Sequence, residues 1–301
     1  MTPEAVLSNA PKVLTQAQRE AYFRDGYVAL EEFVSREWLD RLWDVTDGFI
    51  AESKSVSKSD DKFDVEPDHN ADNPRLRRLS WPVSHHDVYW EFASRGPIVD
   101  AAEDLLGPDV VFHHSKLNFK WSDGGEEVKW HQDFPFYPHS NASVLAIGLY
   151  MSDVDAEMGP LGAIPGSHKG PIYDHFDNKD EWAGALSDAD EATLPVETAD
   201  YMNGKAGTIT IHNIRTVHGS MPNVSSRMRP LLINAYASAD AFSLTPYPGS
   251  ACPQNETVIR GKRSRVARFD QEECRMPPDW SGGYSSIFAL QQDEDGAGRD
   301  A

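Results

Sequence analysis

The segment Trp130-His131-Gln132-Asp133 sets an imidazole and a carboxylate two residues apart, and a second imidazole, His218, follows within His218-Gly-Ser-Met-Pro-Asn223. Residues i and i+2 of a β-strand point to one face. An H-x-D triplet at a strand end therefore aims both side chains at a common point, and His218 completes the set if the fold lays its strand alongside. Two imidazoles and one carboxylate are the facial donor set that holds Fe(II) while leaving positions open for a co-substrate and O2. A closed set of four ligands would instead be structural. His212, at the end of a β-like run, is a rival third ligand, although the Gly-Ser context favours His218.

Further polar groups come from a strand predicted over 110–121. Its alternation puts Phe112, His114, Lys116, Asn118 and Lys120 on one face, and Val111, His113, Ser115, Leu117, Phe119 and Trp121 on the other. A guanidinium fork is the natural partner of a carboxylate in a semi-enclosed pocket, and Arg229 and Arg227 both offer one. Trp130, Phe134, Phe136, Tyr137 and His139 flank the H-x-D triplet as candidate cavity walls, with Phe134, Phe136, Tyr137 and His139 read as the substrate side. His168 follows Pro-Gly-Ser and reads as a structural turn residue.

These pieces resemble the phytanoyl-CoA dioxygenase family of Fe(II)/2-oxoglutarate oxygenases. The resemblance rests on Phe23-Arg-Asp-Gly-Tyr-Val28, Trp130-His-Gln-Asp133, Met158-Gly-Pro-Leu161 with Ile164-Pro-Gly-Ser-His168, and His218-Gly-Ser220 with Arg229 eleven residues after the histidine. His114-Ser-Lys-Leu-Asn-Phe-Lys120 is also similar to a stretch of ectoine hydroxylases, and the match runs from about residue 14 to 240. The resemblance implies a double-stranded β-helix fold, Fe(II), 2-oxoglutarate and O2, with His131, Asp133 and His218 on the metal. It implies Arg229 on the far carboxylate of 2-oxoglutarate and Asn118 as a further co-substrate contact. Ser220, His114 and Lys120 are counted with that co-substrate group. Halogenating relatives replace the iron carboxylate with a small residue, so Asp133 points to hydroxylation or a related oxidation of a small molecule.

The elements needed to position these groups are legible in outline. Thr15-Gln-Ala-Gln18 reads as a capping box opening a helix that stops near Gly26. Tyr27–Leu30 reads as a strand, and Ser35 caps an amphipathic helix running to about Ile50. His85–Leu106 reads as one helix, and 51–75 as a polar loop and candidate lid. Strands are expected at Ser143–Met151, Leu161–Ile164, Thr208–His212 and Leu231–Ala237, with residues 1–13 loose and 172–200 an acidic excursion. Helices followed by many short strands give an α+β fold: a cupin-like jelly roll with flanking N-terminal helices. We expect one oxygenase domain over 1–301, with a helical flank at 14–106, a jelly-roll core at 110–240 and an extension at 241–301.

The 301 residues carry a formal net charge of −20, which argues against nucleic acid and anionic membranes as partners. Two cysteines make neither a disulfide framework nor a Cys-based zinc site. No signal peptide or apolar span is evident, so a cytoplasmic location is expected. The basic run Arg260–Arg265 with Arg268 reads as a solvated loop or an anion-recruiting patch. A zinc hydrolase using the same His/Asp/His set and a non-catalytic jelly-roll binding protein remain as alternatives.

Overall fold

The computed structural model describes residues 1–122, 126–246, 252–270, 272–278 and 287–291. Where the sequence predicts a loose start, Thr2 caps a short helix, α1 (Pro3–Leu7). The predicted capping box forms: Thr15 and Gln18 satisfy each other's backbone N–H and open α2 (Gln16–Asp25). Gly26 ends it in the left-handed region, φ 91°. A Cβ there would also lie 2.5 Å from Nδ1 of His168, so glycine is required on two counts. Next come β1 (Tyr27–Leu30) and the Ser35-capped α3 (Arg36–Ser53), which buries Leu39, Leu42, Thr46 and Phe49.

Two expectations for the next stretch are corrected. Residues 51–75 are not simply a loop, because β2 (Phe63–Val65) pairs with β3 (Leu76–Ser80) and buries Phe63 and Val65. The single helix expected over 85–106 is three: α4 (Pro82–His85), α5 (Asp87–Arg95) and α6 (Ile98–Leu106). Gly96-Pro97 makes the main break, since proline lacks the N–H that would continue the ladder and disfavours a helical residue before it.

The strands that follow are β4 (Val110–Lys120), β5 (Val128–His131), β6 (Val144–Tyr150), β7 (Leu161–Ala163), β8 (Asp200–Tyr201), β9 (Ile209–Asn213), β10 (His218–Ser220), β11 (Arg229–Ser238) and β12 (Val258–Arg260). All described pairings are antiparallel. The major sheet runs β1-β9-β6-β11-β4-β3-β2, with β12 also on β4, and the minor sheet runs β5-β10-β7-β8. These two sheets are the jelly roll. The major sheet takes strands from the flank (β1, β2, β3) as well as from residues 110–238, so flank and core share one ladder. The helices cover its outer face with Leu42, Phe92, Ile98, Leu105, Leu117 and Ile211 in one apolar cluster. A bulge in the β4–β11 ladder pairs Ala235 with His114 but Tyr236 with Phe112, skipping His113. Phe112 is thereby put out of phase with Lys116 and packs on Trp90 and Tyr236, against the predicted alternation. The acidic excursion contains a short helix, α7 (Asp188–Glu191), and the chain's last described element is α8 (Ile287–Gln291).

Candidate active site

Strands β5 and β10 are neighbours in the minor sheet, with His131 directly opposite His218. Asp133 lies beyond the end of β5, at the entry to a 3-10 turn over Phe134–Phe136. The convergence of His131 and Asp133 is therefore made by a turn, not by the shared strand face that the spacing suggested. That turn is fixed by Pro135 and by Phe134 N–H donating to Ile214 O at 2.9 Å. Ligand atoms of His131, Asp133 and His218 all lie within 4.8 Å of one another, and all three residues are buried.

The two histidines are locked in one tautomer. Nδ1 of His131 bonds Lys129 O at 2.9 Å and Nδ1 of His218 bonds Thr216 O at 2.9 Å. A carbonyl only accepts, so each Nδ1 carries the proton and each Nε2 presents a lone pair, as a metal ligand must. Burial drives the His131 pKa down to about 4 and His218 well below its ordinary value, keeping both rings neutral. Burial opposes ionisation of Asp133, yet the His212 hydrogen bond and the field of Lys116 outweigh it and hold the carboxyl well below its usual range. Neutral imidazoles with an ionised carboxylate are the protonation states a divalent cation needs.

His212, the rival ligand, instead donates from Nε2 to Oδ2 of Asp133 at 3.3 Å, with its ring 4.1 Å from that of His218. Gln132 was not singled out from sequence, but it pins the turn. Its Nε2 donates to Arg215 O (2.8 Å) and Pro171 O (3.1 Å), its Oε1 accepts from Tyr173 N, and its own N–H donates to Nε2 of His175. Its position between the two metal-type residues was the available signal.

A cavity of about 60 Å³ opens onto the triad, lined also by Lys116, Asn118, Phe136, Tyr137, Ser220 and Arg229. Other expected residues stand back from it. Lys120 is buried and donates to Ser220 Oγ at 2.7 Å and Met221 O at 2.5 Å, so it positions Ser220 and does not line the cavity. His114 sits behind the wall with Nδ1 2.7 Å from Nδ1 of His113, and His139 bonds Tyr137 O. Phe134 packs into an apolar cluster with Val144 and Ile214. His168 contacts Phe23 O at 3.3 Å, as a turn residue. Arg227 pairs with Asp155 at the surface, which leaves Arg229 as the cavity arginine. The site also uses Ile287 and Phe288 of α8, from a tail that the sequence left without a role, whereas no residue of 51–75 lines it. In the basic run, Arg260, Arg263 and Arg268 are tied to Asp100, Glu256 and Asp270, which favours the solvated-loop reading.

The family model for phytanoyl-CoA dioxygenase (PhyH) matches residues 22–231. The chain belongs to the phytanoyl-CoA dioxygenase family. This PhyH-family protein is 34% identical over 283 residues to the "Probable alpha-ketoglutarate-dependent hypophosphite dioxygenase" of Stutzerimonas stutzeri, spanning 93% of this chain and 98% of the relative. It is 27% identical to the ectoine dioxygenase of Sphingopyxis alaskensis, over 76% of this chain and 77% of that one. Among solved structures, EctD from S. alaskensis with bound Fe superposes with a TM-score of 0.69 at 24% identity, covering 85% of this chain and 89% of the other, a likeness of fold. As a PhyH-family member the protein is an Fe(II)- and 2-oxoglutarate-dependent dioxygenase.

The residues present fit both groups. The donor set suits Fe(II), and Arg229 is buried with Nε and Nη1 lacking any partner, its only described neighbour of this kind being the Tyr150 hydroxyl. A buried guanidinium with two orphaned N–H groups calls for a carboxylate. No described helix is long and apolar enough to cross a membrane.

Proposed function

We propose that this oxygenase hydroxylates a compact small molecule, with Fe(II) held by His131, Asp133 and His218 and 2-oxoglutarate anchored by Arg229. One observation carries the reading: the metal-type triad and an arginine with unmet hydrogen-bonding capacity face the same small cavity. When bound, Fe(II) and 2-oxoglutarate together activate O2 for insertion of one oxygen into an unactivated bond to hydrogen, with release of succinate and CO2. The chain supplies position and dryness. Arg229 neutralises the far carboxylate of the co-substrate, with Ser220 and Asn118 as further polar contacts on the lining. Nδ1 bonds hold both imidazoles in the coordinating tautomer, and His212 holds Asp133 at one angle. Phe136, Tyr137, Leu161, Ile233 and Phe288 make the remaining walls apolar and exclude bulk water.

The small, largely apolar lining among the described residues favours a compact substrate. Hypophosphite and ectoine, named for the two relatives, are the first molecules to screen, and a reducing cytoplasm suits Fe(II). The deciding experiment is anaerobic titration of apo-protein with Fe(II) and then 2-oxoglutarate, followed by the visible charge-transfer band of the chelate. The expected result is a band that requires His218 and weakens in Arg229→Ala. A folded, iron-loaded protein without that band would move zinc hydrolysis to the front.

A further inference from the structure

A second, wider hollow lies outside the catalytic cavity: a groove of about 870 Å³ between the minor sheet and the acidic excursion. Its floor is aromatic. Across the sheet Gly219 of β10 pairs with Gly162 of β7, and Gly162 pairs with Tyr201 of β8. Residues paired across a ladder share a face. A Cβ on Gly162 would lie 2.7 Å from Cε1 of Tyr201 and 3.4 Å from Cη2 of Trp130, and one on Gly219 would lie 3.3 Å from Cε3 of Trp130. The indole and the phenol therefore lie down over two paired glycines, and both rings line the groove. Phe176 and Trp182 form a side wall, bridged to each other with ring centres 5.1 Å apart.

The rim is anionic. Glu127, Asp177, Glu181, Asp188 and Glu191 line the groove against one described cation, Lys129. Asp188 and Glu191 stand three residues apart on α7, on one helix face, where like charges repel. Glu127, Asp188 and Glu191 enter no ion pair among the described residues. On a chain of net charge −20 such carboxylates alone would be a solvated face, and the aromatic floor beneath them is what sets this place apart. Nor do they suit a metal ion. The active-site triad is the only group of three such side chains, among the described residues, whose ligand atoms lie within 4.8 Å of one another, so the carboxylates of the groove do not converge on a point.

We propose that this groove binds an extended aliphatic polycation of the polyamine class, at a site separate from the catalytic cavity. Ammonium groups joined by methylenes reach spread carboxylates that one point charge cannot, while the chain between them lies on the indole and phenol faces. An ammonium over such a ring is attracted by its quadrupole, and the methylenes cover apolar surface. The field of the acidic chain raises the local concentration of this ligand. Binding here needs neither iron nor 2-oxoglutarate. The groove meets the catalytic cavity at Val128 and Ser220, and Trp182 packs with its ring centre 5.1 Å from that of Phe136 on the cavity wall. Trp182 thus touches both the groove and that wall.

The test uses the full chain under anaerobic conditions, with and without Fe(II) and 2-oxoglutarate. Spermidine and diaminooctane are titrated by calorimetry, with uncharged octanediol and Ca2+ in separate runs. The expected result is saturable binding of a polyamine at a single site in both loading states, and none of octanediol. Affinity should fall about fivefold or more in the double variant Asp188→Asn/Glu191→Gln, and about threefold or more in Tyr201→Leu. Tyr201→Phe keeps the ring and should bind within about twofold of wild type, which separates a lost ring face from a lost fold. Glu20→Gln/Glu37→Gln removes the same charge from exposed helix positions elsewhere and should also bind within about twofold. Absence of saturable polyamine binding overturns the inference. So does an equal loss in the Glu20/Glu37 variant, which would mean diffuse attraction to an acidic surface. Octanediol binding as tightly would mean an apolar slot, and Ca2+ displacing the polyamine at equal concentration would mean a metal site; either overturns it. Binding abolished by Fe(II) and 2-oxoglutarate would place the polyamine in the catalytic cavity and overturn it too, leaving the oxygenase reading intact.

Discussion

At the scale of single residues, His212 shows how a side chain acts on a metal it does not touch. Its Nε2–H fixes Asp133, and its ring packs on His218. His212→Phe keeps the ring and removes the bond; we expect Fe(II) affinity to drop about 10- to 100-fold with the thermal midpoint within a few degrees of wild type. Metal titration with circular dichroism on the same samples checks this, and unchanged affinity would reduce His212 to packing. Arg229→Ala removes the buried partner of a carboxylate, so the KM for 2-oxoglutarate should rise about 30-fold or more, equivalent to about 2 kcal/mol, in steady-state succinate assays. The triad, Arg229, Asn118 and Ser220 were legible as neighbours of one cavity because the motifs that carry the family resemblance contain them. Gln132 and the true places of Lys120 and His114 were not. Side-chain reach across a ladder depends on register, and a bulge such as that at His113 leaves no mark in the alternation.

Elements were readable where a local signal closes on itself. The Thr15/Gln18 box, Ser35 and Gly26 each announce a helix end through chemistry within four residues, and the long strands β4, β6 and β11 announce themselves by composition. Short strands β2, β3 and β12 and helix α8 were missed, because three to five residues become regular only when a neighbour supplies hydrogen bonds and burial. Gly26→Ala tests the first class: positive φ and the His168 contact should together cost about 1–3 kcal/mol, read as a lower urea midpoint at unchanged slope. Phe288→Ala tests the second. Opening the apolar wall should raise succinate formed per product formed by severalfold, measured on the same reaction mixture. An unchanged ratio would mean that α8 only props the fold.

For the whole molecule, the buried histidines set an acid limit. Burial lowers His139 to about 4 and His175 to about 3, from an ordinary value near 6.5. The folded state therefore binds fewer protons than the unfolded one. The stabilisation is complete above pH 6.5 and is lost as pH falls toward those folded values, at about 1.4 kcal/mol per pH unit for each group. Urea midpoints of apo-protein at pH 7.5 and 5.5 should differ markedly, and by less in His175→Asn. A further consequence follows from the order in which the cavity's parts occur along the chain. The triad and Arg229 are all encoded by residue 229, whereas the Phe288 wall begins at residue 287, 58 residues later (287 − 229). At synthesis rates of about 5–20 residues per second, roughly 3–12 s separate the two. A chain synthesised to residue 229 carries every ligand-type residue of the site but not the Ile287 and Phe288 part of its wall.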